Sequence, residues 1–165
     1  MRALGISSNA KPLLGGERKI QSPMIEVLND QEVLAAFESC TLPLDAWIDQ
    51  EHVRICFLYA SQHPLPVALD LMRKAIKAFN PSKQNPESLG RGYHETMTVA
   101  FMRLMHDSLL RNGPFPNSDA ICDHHPQLLN KLVLRKLYSR ERIVTVVAKR
   151  EFVESDFSEL PGSLL

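Results

Sequence analysis

Four hydrogen-bonding side chains follow one another at residues 93–96, where the run Tyr-His-Glu-Thr opens the longest helical pattern in the sequence. A histidine changes charge near neutral pH, so His94 suits general acid or base catalysis, with Tyr93 as a proton donor and Glu95 orienting an imidazole ring. Glu95 also has a structural interpretation, because Gly92 as helix N-cap with Glu95 three residues later forms half of a capping box. In that interpretation the Glu95 carboxylate only accepts hydrogen bonds from backbone N–H groups.

A second histidine, His52, lies at the start of the most apolar stretch of the chain, residues 53–60. This stretch predicts a central helix enclosed by others, with a buried strand as the alternative. If the helices that carry the two histidines face each other, both imidazoles share a pocket with a carboxylate, either Asp49 or Glu95. Two histidines and one carboxylate with open positions are the ligand type of non-haem Fe(II) oxygenases. Asp49 and His52 are three residues apart and so lie on one helix face. The sequence therefore predicts a site for non-haem iron or another divalent metal, or a metal-free pocket that uses the same residues: His52, His94, Asp49 and Glu95.

Four further side chains are expected to contact a molecule bound in this pocket. Arginine binds carboxylates through paired N–H donors, so Arg54 and Arg91 are candidates for holding an anionic group. Tyr59 and Thr98 lie further along the same two helices and are expected to line the ligand. The predicted ligand-binding residues are thus Arg54, Arg91, Tyr59 and Thr98.

These residues support two classes of function. The first is a small enzyme or ligand-binding protein with a buried His/Glu/Tyr pocket between two central helices, acting on a small molecule by acid–base or non-haem metal chemistry. The second is a non-catalytic interaction or regulatory module, in which the same network only fixes how the helices pack. The expected partner is a small-molecule ligand or substrate, and an apolar helix face left uncovered would allow a homodimer.

Another group of metal-ligating residue types, Cys122-Asp123-His124-His125, lies between two predicted helices. It lacks a second ligand pair at the spacing of a zinc site. Residues 115–125 are expected to form a loop or a short helix, and we expect this cluster to lie in a solvated loop.

Hydrophobic periodicity predicts helices as the elements that position these residues, and the predicted fold is an all-α, compact single-domain bundle of five or six helices. The helices are expected to begin after an Asn29 or Asp30 cap, near His52, near Val67, at Tyr93, after Pro126 and after Ser139. Residues 80–89 read as an exposed loop, residues 1–23 as a flexible N-terminal extension and residues 24–165 as the single helical domain.

The long helix predicted from Tyr93 ends at Asn112, because Gly113-Pro114 follows. One core side is expected on it, marked by Tyr93, Met97, Ala100, Phe101, Leu104, Met105 and Leu109.

Charge and apolar content narrow the class of protein. The 165 residues include 19 basic and 19 acidic side chains, so no broad attraction to nucleic acid or to an anionic membrane is expected. No apolar run approaches the roughly 18 residues of a membrane span, and no long apolar region follows the first residues. Three cysteines at irregular spacing predict free thiols in a reducing compartment. We expect a soluble cytoplasmic protein.

Four spaced segments resemble a small bacterial family of uncharacterised helical proteins. They are Trp47 followed by His52-Val53-Arg54, the Tyr-His-Glu-Thr run, Tyr138-Ser139 with Glu141-Arg142, and Phe152-Val153. The resemblance spans roughly residues 30–157 and brings no established activity with it. The family has His-x-x-His before its central helix, whereas Asp49 takes the first of those positions here and His52 the second.

Overall fold

Seven α-helices and three 3-10 helices form the part of the chain that the computed structural model describes, residues 28–160 apart from the Lys131 side chain. The α-helices are α1 Asp30–Glu38, α2 Asp49–Gln62, α3 Leu65–Ser82, α4 Glu95–Asn112, α5 Ser118–His124, α6 Arg140–Ile143 and α7 Val146–Arg150. The 3-10 helices are Leu44–Ala46, Pro126–Leu129 and Lys131–Lys136. No strand occurs within these residues, which confirms the predicted all-α class. None of these helices is long and apolar enough to cross a lipid bilayer. The predicted extension, residues 1–23, lies outside the described residues.

Helix α2 lies at the centre of the bundle, in contact with α1, α3, α4 and α5. Every side chain from Ile55 to Ala60 is buried. A helix that is apolar on all sides needs neighbours on all sides, because each apolar face left in water would cost free energy. The composition of this segment predicts that enclosure, and the structure confirms it.

Helix α4 separates two apolar clusters, which explains why it is buried on more than one side. The main cluster contains side chains of α1, α2, α3 and α5 together with Met102 and Met105. The C-terminal cluster combines Ala100 of α4 with Leu134, Leu137, Tyr138, Ile143 and Leu160. The predicted core side is therefore incomplete, since Val99, Met102 and Ser108 are also buried. A single apolar stripe does not describe a helix that has a core on two sides.

The segment after Pro126 does not form the one long α-helix predicted for it. It forms two 3-10 helices that meet at Asn130, whose side chain accepts a hydrogen bond from the Leu132 N–H. A side chain that caps a new turn in this way competes with the backbone bonds of a continuous α-helix. Ser139 caps α6 as predicted, but Thr145 caps a second helix, so the predicted last helix is two short ones.

Of the two alternatives for residues 115–125, the structure shows the short helix, so the expected solvated loop at residues 122–125 is wrong. Most of it belongs to α5, which Asn117 caps, and Cys122 is buried against the main cluster. Asn, Ser and Asp at the start of this segment favour a helix N-terminus, a signal that outweighs its polar composition. The expectation of free thiols is confirmed for Cys40, Cys56 and Cys122.

Candidate functional site

A cavity of about 430 Å³ lies between α2, α3 and α4. The loop that joins α3 to α4, the 3-10 helix Pro126–Leu129 and residues near α6 and α7 complete its wall. Its volume falls in the range of small-molecule sites. Six of the nine residues predicted for the site line it, namely Asp49, His52, Arg91, Tyr93, His94 and Thr98.

Most of the cavity wall is apolar. The apolar lining comes from every surrounding element and comprises Trp47, Val53, Cys56, Met72, Ile76, Leu89, Met97, Phe101, Leu128, Ile143 and Val144. Burial raises the pKa of the Cys56 thiol to about 12. This thiol therefore stays protonated at neutral pH and acts as an apolar wall rather than as a nucleophile.

His52 is held at the edge of the cavity by an aromatic stack and a backbone hydrogen bond. The centroid of its ring lies 3.8 Å from that of Trp47, which in turn stacks on Phe37 at 4.3 Å. His52 Nδ1 donates to the Ile48 carbonyl at 2.8 Å, and because a carbonyl can only accept, Nδ1 carries a proton. In the neutral ring the lone pair is then on Nε2.

The predicted N-cap of the long helix, Gly92, is wrong, because His94 caps α4. His94 Nδ1 accepts from the Met97 N–H at 3.3 Å, and Nε2 donates to the Ile143 carbonyl at 3.0 Å. This pattern requires the neutral Nε2–H tautomer. Burial lowers the pKa of His94, and the nearby charge of Lys149 acts in the same direction. Both ring nitrogens serve the fold, so binding a metal or a substrate proton would break one of these bonds.

Replacing His94 by Asn or by Ala separates its two bonds. Asn is a good N-cap, so H94N should lose only the bond to Ile143, at a cost of about 1 kcal/mol. H94A also loses the cap, and we expect it to cost about 2 kcal/mol. Urea denaturation measures both free energies of unfolding. Wild-type stability in H94A would contradict the structural role given to this ring.

The lowered pKa of His94 also predicts weaker folding in mildly acid solution. The ordinary pKa of a histidine is 6.5, and the folded value lies below it, so under pH 6.5 the unfolded chain binds more protons. The stabilisation is complete above pH 6.5 and is lost as the pH falls through the folded pKa. The free energy of unfolding should therefore decline more steeply below pH 6.5 in the wild type than in H94N, and equal slopes would refute this assignment.

Glu95 binds side chains rather than the backbone N–H groups of a capping box, so that prediction is wrong. It is the first residue of α4, and its carboxylate accepts hydrogen bonds from Arg73 Nε of α3 at 3.0 Å and from the Tyr93 hydroxyl. Burial acts to raise its pKa, but the bonds from Arg73 and Tyr93 bring the pKa of Glu95 below its ordinary value. The same burial raises the pKa of Tyr93. Glu95 does not line the cavity and joins α3 to α4 instead.

Arg54 and Tyr59 also lie outside the cavity lining, and each ties α2 to residues of the N-terminal part. Arg54 Nε donates to Asp30 at 2.6 Å and its Nη2 donates to the Leu28 carbonyl at 2.7 Å. The Tyr59 hydroxyl donates to Glu38 at 2.9 Å. Both side chains therefore make hydrogen bonds within the fold and do not line the cavity in which ligand contacts were expected.

Two residues outside the predicted site, Glu87 and Lys149, fix the loop before α4. Lys149 Nζ donates to the carbonyls of Arg91 and Tyr93 and pairs with the Glu87 carboxylate at 3.1 Å. That carboxylate accepts the Tyr93 N–H at 2.9 Å. It lies 2.2 Å from where a Cβ on Gly92 would stand, and Gly92 has a φ of +87°. Only glycine meets both conditions without strain, and a glycine next to the motif was the one local signal of this arrangement.

Every residue of the Tyr-His-Glu-Thr run makes a bond to a distant part of the chain. Thr96 completes the set, because its buried hydroxyl donates to the Glu151 carbonyl at 2.9 Å and accepts the Val153 N–H at 3.1 Å. The run therefore joins α4 to α3 on one side and to the C-terminal segment on the other. It shapes one wall of the cavity while holding the fold together.

Two charged side chains of the cavity lining make no hydrogen bond or ion pair with any side chain or backbone group within residues 28–160. They are Asp49, half-buried at the first turn of α2, and Arg91, exposed in the loop before α4. The Thr98 hydroxyl, in contrast, donates to the His94 carbonyl at 3.0 Å. The charges offered to a ligand therefore stand on two different elements of the wall, α2 and the loop before α4.

The predicted metal ligands are not assembled in the part of the chain that the structure describes. No group of three His, Cys, Asp or Glu side chains among these residues could hold a metal ion. Of the proposed set, Glu95 lies outside the cavity and both nitrogens of His94 are bonded. His52 and Asp49 remain side by side on α2.

Comparison with known proteins gave no match: no protein-family model, no curated protein and no solved structure matches this chain. The resemblance drawn from the four motifs therefore stays a prediction.

Proposed function

We propose that the protein binds a small, predominantly apolar molecule in the cavity between α2, α3 and α4. The observation that carries the proposal is a cavity of about 430 Å³ with apolar walls and a few polar groups. Small-molecule sites have this composition, because apolar contact supplies most of the affinity and a few polar groups set orientation. We propose binding rather than catalysis because the side chains of His94, Glu95 and Tyr93 already make the hydrogen bonds that hold the helices together.

Catalysis on the bound molecule would depend on His52 and Asp49, which line the cavity three residues apart. Because His52 Nδ1 donates to the Ile48 carbonyl, Nε2 is the atom that would exchange a proton with a substrate. We propose acid–base chemistry for any activity of this site. Its signature would be an H52Q variant that still binds the molecule but no longer converts it.

Amide chemical shifts during a titration with octan-1-ol, a neutral apolar probe, test the binding proposal. We expect saturable shifts at the first turns of α2 and α4 and at residues 89–93, with one binding constant for all of them. Helix α5 serves as an internal control, because none of its residues lines the cavity. The absence of saturable shifts in the lining, or shifts spread evenly over the surface, would contradict the proposal.

A second candidate, the non-catalytic interaction module, is favoured by three valines exposed at α6 and α7. The exposed fractions are 49% for Val144, 52% for Val146 and 57% for Val147. Valines in water on one short segment would gain free energy by packing against a second copy of the chain. Sedimentation velocity tests this: a concentration-dependent dimer that V147D abolishes supports the module, and a monomer at all concentrations refutes it.

A further inference from the structure

Among residues 28–160, one lysine or arginine of the cavity lining has a side chain that the fold does not use. Lys149 is engaged by two carbonyls and by Glu87, and His94 is held as a neutral ring. Arg91 is the remaining lysine or arginine of the lining, and its guanidinium makes no bond to any group within residues 28–160. His52, the other histidine of the lining, stacks on Trp47 and is bonded to the Ile48 carbonyl. The charge of Arg91 is therefore available to whatever occupies the cavity.

The backbone of Arg91 is fixed although its side chain is exposed. Its N–H donates to the Ser88 carbonyl at 3.3 Å, and its own carbonyl accepts from the Ser88 N–H at 3.1 Å and from Lys149 Nζ at 2.8 Å. Three bonds thus hold the Cα at the cavity rim. A side chain on a fixed backbone loses less conformational freedom when it closes on a ligand.

Three other arginines form ion pairs with side chains of the fold. Arg54 pairs with Asp30, Arg73 with Glu95 and Arg111 with Asp107. An exposed arginine without such a partner is ordinarily a solvated side chain. Arg91 differs in standing at the rim of an apolar cavity, where a ligand's charged end would meet it as the apolar part enters.

Resting on the proposed function, we infer that the ligand of this cavity is an apolar monocarboxylate whose carboxylate pairs with Arg91. The planar guanidinium fork matches the two oxygens of a carboxylate. A phosphate, with a second negative charge, would leave that charge without a cation, because Lys149 is already neutralised. The Asp49 carboxylate on the α2 wall repels an anion. The carboxylate of the ligand therefore lies at the loop, and the apolar part of the ligand lies between α2 and α4.

Three probes with one tail and different head groups test the inference by calorimetry: octanoate, octan-1-ol and octylammonium. In the wild type we expect octanoate to bind about tenfold more tightly than octan-1-ol, as one partly exposed charge-assisted contact provides. R91Q should bring octanoate to the affinity of octan-1-ol and leave octan-1-ol unchanged. D49N should bind octanoate at least as tightly as the wild type. R135Q is the matched control, since Arg135 is exposed and outside the cavity lining, and should not change any affinity.

The outcomes separate this inference from the proposed function. If octan-1-ol binds and octanoate binds no better, or if R91Q leaves the octanoate preference intact, the carboxylate inference fails while the cavity remains a binding site. Tightest binding of octylammonium would also overturn it and would assign the head group to Asp49. If none of the three probes binds, both the inference and the proposed function fail.

Discussion

Replacing Phe37 by Ala is expected to lower the free energy of unfolding by about 3–5 kcal/mol, the usual cost of removing a fully buried aromatic ring. Phe37 is 0% exposed, and its ring centroid lies 4.3 Å from Trp47 and 5.0 Å from Phe79. Two contributions make up this loss. The ring no longer contributes the free energy of burying its apolar surface, and its removal leaves a cavity beside α1 and α3. Because the Trp47 ring stacks on Phe37, the fluorescence emission of Trp47 should also shift when the Phe37 ring is removed.

Chemical denaturation followed by far-ultraviolet circular dichroism measures this loss. Phe157 offers a matched control, because its side chain is 63% exposed and F157A should change the free energy of unfolding by less than about 0.5 kcal/mol. A loss below about 1 kcal/mol in F37A would mean that the main cluster does not close around this ring as described.

Replacing Glu95 by Ala is the second change with a large expected effect, about 2–3 kcal/mol. Removing one partner of a buried ion pair can cost up to about 5 kcal/mol of stability. The expected loss is smaller here because the Arg73 side chain is 31% exposed and solvent screens its charge. E95A leaves the Arg73 guanidinium and the Tyr93 hydroxyl without their shared acceptor. E95Q keeps the shape and one acceptor oxygen, so we expect a smaller loss.

A double-mutant cycle between Glu95 and Arg73 isolates the pair from other effects of the substitutions. We expect a coupling energy of about 1–2 kcal/mol. The pair Asp107 and Arg111, on the outer part of α4, is the matched control, because its arginine side chain is 72% exposed and solvent screens the interaction. Equal coupling in the two pairs would contradict the assignment of Glu95 as the connection between α3 and α4.

The helical fold could be predicted from the sequence because its signals are local. Asn29 caps α1 with a capping box to Glu32, and the apolar run from Ile55 specifies an enclosed helix. The sequence could not show that α4 has a core on two sides, because the C-terminal cluster is formed by residues far along the chain. The prediction of one long α-helix after Pro126 was wrong because Asn130 caps a new turn in the middle of an otherwise helical pattern.

The candidate site was predictable only in part. The two histidines were placed on the two central helices, and both line the cavity. Their hydrogen-bond partners were not predictable, since His94 reaches Ile143 across 49 residues of sequence and Tyr93 reaches Lys149 across 56. Motif composition tells which side chains can exchange protons or bind charge. Whether the fold has already used them depends on these distant contacts.

Trp47 fluorescence during a titration with octan-1-ol tests the central claim most directly, namely that the cavity beside the Tyr-His-Glu-Thr run is a binding site. Trp47 is the only tryptophan of the chain and lines the cavity. Val53 also lines it, so V53F should fill part of the space, whereas V147F adds the same ring at an exposed position outside the lining. We predict a saturable change in emission that fits one site in the wild type and in V147F. In V53F this change should be lost, although circular dichroism should show that the variant is folded. An emission that does not change, or one that changes equally in V53F, would contradict the claim.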